Sequence, residues 1–131
     1  MSTRSTISLQ NSDGSIRSIY CHFDGYISHN GKLLNEHYDT IDKINALLDF
    51  GSISSLHEST ECPEGHTFDR PVKGYCNAYH RDRGEDLVIS TYKSRDDIYG
   101  EEYNYLFVDG QWYVRCHETY GFELLDSVIE E

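Results

Sequence analysis

TRSTISLQ-NSDG-SIRSIYCHFDGY, residues 3–26, decides how this chain begins to fold. Ile7 and Leu9 alternate with Thr6, Ser8 and Gln10, the period of a strand with one buried face. Asn11-Ser12-Asp13-Gly14 is a turn in which Gly14 takes positive φ at low cost. Ile16, Ser18 and Tyr20 then alternate with Arg17, Ile19 and Cys21 on a returning strand, which Asp24-Gly25 breaks. The reading is an N-terminal β-hairpin that carries Tyr, His and Asp side chains to its open end.

From Gly31 the period lengthens. Leu33, Leu34, His37 and Tyr38 fit a short helix, and Asp39 or Thr40 caps a second. Ile41, Ile44, Leu47 and Leu48 form its core stripe, and Gly51 stops it. Residues 57–74, HESTECPEGHTFDRPVKG, hold both prolines and read as a long exposed loop. A short strand over Tyr75–His80 leads into the charged run Arg81–Asp86, and Leu87–Tyr92 reads as another strand. Tyr103–Val108 and Gln111–Cys116 flank Asp109-Gly110, a strong hairpin signal. Helical turns from Phe122 to Ile129 follow. The expectation is one α+β domain over residues 1–131. Its sheet is mainly antiparallel, with about six strands built from hairpins and two or three helices packed on one face.

The chain carries 11 basic and 23 acidic residues, a formal charge of −12. Residues 36–71 hold −6 and residues 98–131 hold −7, so the acid is concentrated in two blocks. Such a field repels phosphate backbones and disfavours direct nucleic-acid binding; it attracts basic partners. No stretch approaches the roughly 20 apolar residues of a membrane span. The N-terminus lacks the apolar core of a secretory signal, which predicts a cytoplasmic protein with reduced cysteines. Eleven of the aromatic residues are Tyr, a type suited to half-buried strands and binding surfaces. Exposed Tyr on edge strands would permit a homodimer.

Four groups of residues carry candidate chemistry. Cys62/His66 and Cys76/His80 are both C-x3-H pairs, which together offer four tetrahedral zinc ligands. Tyr20, His22 and Asp24 share one side of an extended strand, with Tyr26 and His29 nearby, so a carboxylate stands ready to orient an imidazole. No GxSxG or P-loop accompanies them, so catalysis by His22 and Asp24 is the minor reading. Arg81-Asp82-Arg83-Gly84-Glu85-Asp86 reads as a self-paired loop or a recognition loop. The C-terminal third presents Asp96, Asp97, Glu101, Glu102, Asp109, Glu118, Glu123, Asp126, Glu130 and Glu131. Spaced carboxylates of this kind imitate a phosphate track for a basic groove.

Several stretches resemble a family of small uncharacterised phage and prophage proteins. They are Ser2–Ile7, Ile19–Tyr26, Gly31–Leu34 with His37-Tyr38, the Lys43–Leu48 helix, Tyr79–Glu85 and Tyr105–Val114. The resemblance implies an accessory protein made in the cytoplasm of an infected or lysogenic bacterium, and a non-enzymatic binder or inhibitor of a host or defence protein. Acidic nucleic-acid mimicry, with Tyr20, Tyr26, Asp96, Asp97, Glu101 and Glu102 as the binding residues, is the leading reading. A small hydrolase or ligand-binding protein using Tyr20, His22 and Asp24 is the alternative, and a zinc-supported module the third.

Overall fold

The computed structural model describes residues 3–98, 101–117, 119 and 121–129. The opening hairpin folds as read: β1 (Ser5–Gln10) and β2 (Ile16–Cys21) pair antiparallel with Ile7 opposite Ile19. In its turn Gly14 has φ +91°, and the Asp13 carboxylate accepts from the Ser15 amide at 2.9 Å. After β2 the chain makes a π-helical turn over Ile27–Gly31 and enters α1 (Lys32–His37) and α2 (Ile41–Leu48). Of the two caps offered by the sequence, Thr40 is used: its hydroxyl accepts from the Lys43 amide at 3.3 Å. Gly51, at φ +70°, ends the segment.

Three short strands come next: β3 (Ile53–Ser55), β4 (Asn77–Ala78) and β5 (Ser90–Tyr92). The strand expected over Tyr75–His80 is cut to two residues because the chain turns into α3 (Tyr79–Arg83). The Asp82 carboxylate accepts from the Ala78 amide at 2.8 Å, which satisfies a donor at the helix start. Gly84 at φ +74° ends α3. The second hairpin, β6 (Tyr103–Val108) and β7 (Gln111–Cys116), turns through Asp109 and Gly110, both at positive φ. Where helical turns were expected from Phe122, β8 (Glu123–Leu124) precedes a single turn, α4 (Leu125–Val128).

All eight strands of the described residues share one sheet, in the order β4-β3-β2-β1-β6-β7-β8, with β5 beside β2. The sheet is mixed rather than a run of hairpins. β1 lies parallel to β6, with Ile7 opposite Tyr105, and β2 meets β3 in parallel at Cys21 and Ile53. Those joins bring together segments distant in sequence, which turn chemistry does not specify.

The period-2 alternation sorts side chains onto two faces, but β1 is buried on both rather than on the single face expected, because a second apolar cluster covers the far side. On one, Ile7, Leu9, Ile19, Tyr105, Phe107, Trp112 and Val114 pack against Leu34, Tyr38, Ile44, Leu47, Leu48 and Leu125 from α1, α2 and α4. Ile41, the first residue of α2, departs from the expected core stripe: it is 50 % exposed and borders an open surface groove with Asn11 and Gly110. On the other face Ile16, Leu106 and Val108 receive Ile98. The segment leading to Ile98 is tied down as it crosses: Arg95 donates to Gln10 Oε1, and Arg115 donates to the Ile98 carbonyl at 3.1 Å. Beneath it, polar side chains bond in pairs, Ser8 to Ser18 at 2.8 Å and Thr6 to Asn104 at 2.9 Å. No described helix is long and apolar enough to cross a membrane.

Candidate functional site

At the end of β2 the His22 and Phe23 amides donate to the Ile53 and Ser54 carbonyls, so the backbone stays extended beside β3. Tyr20 and His22 therefore share a side, with the phenol oxygen 2.6 Å from Nδ1. Burial raises the Tyr20 pKa above its ordinary value, opposed by Arg4 and assisted by Glu101. Asp24 does not complete the expected trio. Its φ of +58° swings it into a turn, where its carboxylate accepts from the Tyr26 hydroxyl at 3.1 Å. The reason is the next residue: a Cβ on Gly25 would lie 2.8 Å from the Ser5 Cβ and 2.9 Å from the Thr3 carbonyl. That close approach bends the chain away before Asp24 can reach His22.

On either side of the bend, Phe23 and Tyr26 are exposed, at 44 % and 38 %. The His22 ring meets Phe23 edge-on at 4.5 Å, and His29 and His57 lie 6.0 Å apart. Asn30, fully buried, donates to Ser5 Oγ and Cys21 Sγ and lies 2.9 Å from His29 Nδ1. Burial holds the His57 pKa below the ordinary value, and His29 adds repulsion, against the opposite pull of Glu58 and Asp24. The unfolded chain then takes up this proton first. Stability from neutral His57 is full above the unfolded value of about 6.5 and falls as pH drops below it. Urea midpoints should decline from pH 7 to pH 5 less steeply in His57→Gln than in the parent; equal slopes would refute the assignment.

The zinc candidates lie in different settings. Cys62 and His80 are exposed, whereas His66 and Cys76 are buried. Cys76 Sγ is 3.4 Å from the Tyr38 hydroxyl and 3.3 Å from the His57 amide nitrogen, and burial raises its pKa. His66 Nδ1 accepts from the Val72 amide at 3.0 Å, and His80 Nδ1 lies 2.7 Å from the Glu85 carbonyl. Among the described residues no three His, Cys, Asp or Glu side chains come together to hold a metal ion.

The loop over residues 57–74 is exposed along most of its length but clasped to α3. His66 Nε2 lies 3.5 Å from Asp82 Oδ2. Arg81 binds both Asp82 oxygens and donates to the carbonyls of Thr60 and Cys76, while its guanidinium lies over Phe50. Burial works against the Asp82 charge, yet the bonds from Arg81 and Ala78 prevail and hold its carboxyl below the usual range. The sequence reading of Arg81–Asp86 as a self-paired run is right for Arg81 with Asp82 and Arg83 with Glu85, and it misses the clasp.

No protein-family model, curated protein or solved structure matches this chain.

The acidic residues divide by what faces them. Arg17 pairs with Asp49, Lys43 with Asp39, Arg81 with Asp82 and Arg83 with Glu85. No described ion pair reaches Asp96, Asp97, Glu101 or Glu102. Asp96 and Asp97 are exposed on the 3-10 turn Arg95–Asp97, where the Ser94 hydroxyl accepts from the Asp96 amide. Glu101 and Glu102 lie at the entry to β6, beside a groove shared with Asn104, Arg115 and His117. Arg115 is the one cation of residues 98–131; it donates to a carbonyl and stacks on Phe122 at 4.8 Å. Glu118, Glu130 and Glu131 lie outside the described residues.

Proposed function

We propose that this chain is a non-enzymatic binding protein that covers a basic, nucleic-acid-handling surface of another protein. One observation carries the reading: Asp96, Asp97, Glu101 and Glu102 enter no ion pair among the described residues, whereas Asp39, Asp49, Asp82 and Glu85 are each held by a lysine or arginine. Unpaired carboxylates on a strap and a strand entry keep their long-range field, which steers a basic partner and repels nucleic acid. The resemblance to phage and prophage proteins supplies the setting, the cytoplasm of an infected bacterium, with a host or defence protein as target.

The test is capture from bacterial lysate at low and high salt, followed by competition on each captured protein. A true target releases its nucleic acid when this chain is added. Neutralising the four residues (Asp96→Asn, Asp97→Asn, Glu101→Gln, Glu102→Gln) should weaken binding about tenfold at low salt, since exposed pairs are worth about 0.2–1 kcal/mol each. Binding that persists unchanged at high salt and in this variant would refute the reading.

The 2.6 Å approach of Tyr20 to His22 favours a second reading, a small ligand-binding or hydrolytic site. It lacks an orienting carboxylate, because Asp24 is bonded to Tyr26. A His22→Ala protein that keeps every activity of the parent would dispose of it.

A further inference from the structure

A groove of about 530 Å³ opens between Tyr20 on β2 and Tyr79 at the start of α3, bordered by Gly84, Glu85, Asp86 and Val88. Gly84 borders the opening without a side chain, and a Cβ there would meet nothing within 4 Å. Two phenol rings, two carboxylates and an aliphatic rim thus converge on one opening. Val88 on the border is 53 % exposed, and Leu87, its neighbour in the chain, is 49 % exposed. Arg83, which does not line the groove, shows what these groups bind. Its guanidinium lies 4.5 Å from the Phe68 ring centroid and 5.4 Å from that of Tyr79, and it pairs with Glu85. Asp86 has no such partner among the described residues.

We propose that this groove seats an arginine side chain of a basic partner, stacked on the tyrosine rings and paired with Asp86, while the partner's adjoining residues rest on Leu87 and Val88. The inference rests on the reading of a basic partner given above and locates one contact within it. Arginine fits better than lysine because its planar, weakly hydrated guanidinium stacks on an aromatic face and binds a carboxylate through two N–H groups.

The probe is acetyl-Val-Arg-Val-amide, titrated into 15N-labelled protein, with lysine and citrulline peptides of the same form as controls. Shifts centred on Tyr20, Tyr79, Gly84, Asp86 and Val88 are expected for the arginine peptide, weaker for lysine and absent for citrulline. Asp86→Asn, on an exposed side chain, should reduce affinity about two- to fivefold, the range of an exposed cation–π or ion-pair contact. Tyr79→Leu should do the same. Shifts confined to Asp96–Glu102, or equal binding of all three peptides, would overturn the proposal. The two readings fail separately. If a captured partner binds Asp86→Asn as tightly as the parent but loses affinity for the four-residue variant, the arginine seat is wrong and acidic binding stands. If the groove takes the arginine peptide and no basic partner is released by salt, the seat stands and the wider reading falls.

Discussion

Arg81→Leu should lower the unfolding free energy by about 3 kcal/mol, toward the low end of the range for breaking a buried ion pair. Arg81 is 22 % exposed, which sets the low end, but the Asp82 side chain it leaves behind is only 3 % exposed. Three backbone carbonyls, those of Thr60, Glu61 and Cys76, lose their donor in the same step. The residual carboxylate keeps the Ala78 amide and the approach of His66, neither of which offsets its burial. Its pKa should rise in the variant, whereas in the parent it is depressed. A depressed carboxyl stabilises the fold fully above the unfolded value of about 3.9 and loses that contribution as pH falls through the folded value. Urea unfolding measures the first effect. Proteolysis measures the second consequence, faster cleavage within residues 57–74, since the clasp holds that loop. A loss under about 1 kcal/mol with unchanged cleavage would mean that the network is solvated and contributes little.

Trp112→Ala should cost about 3–5 kcal/mol, the range for removing a large aromatic side chain from a packed core. Trp112 is 4 % exposed, meets Phe107 edge-on at 5.2 Å and donates from Nε1 to the Tyr38 carbonyl at 2.8 Å. That bond ties β7 to the end of α1, and Tyr38 in turn donates to the His57 carbonyl at 2.7 Å. Truncation therefore removes ring packing and leaves an acceptor without a donor. Trp112→Phe separates the two: it keeps most of the packing and loses the N–H, so it should cost about 1–3 kcal/mol. Far-UV circular dichroism is the readout, because Trp112 is the chain's single tryptophan. Equal effects of Phe and Ala would assign the stability to the hydrogen bond rather than to packing.

The candidate site was only partly legible. Tyr20 and His22 were correctly placed on one side of a strand, because alternation holds up to Phe23. Asp24 was misplaced, because the bend at Gly25 follows from contact with Thr3 and Ser5, which no local pattern encodes. In the sequence Tyr79, Glu85 and Asp86 read as parts of a strand and a charged run. Their convergence on Tyr20 needs β3 and β4 to carry α3 back beside β2. The only sequence trace of this arrangement was the charge alternation of Arg81–Asp86, which looks the same in a solvated loop.

The sequence by itself determined both hairpins, a helix cap at Asp39 or Thr40, the Gly51 stop and the alternation of Ile7 and Leu9 with polar neighbours. These follow from backbone dihedral preferences and side-chain periodicity, which act over a few residues. Only the tertiary structure decided that β1 lies parallel to β6, that residues 57–74 are held by Arg81 and Asp82, and which carboxylates enter ion pairs. Such outcomes depend on which distant segments bury their apolar faces together. The free energy of that choice is spread over the whole core, so no short stretch of sequence carries it.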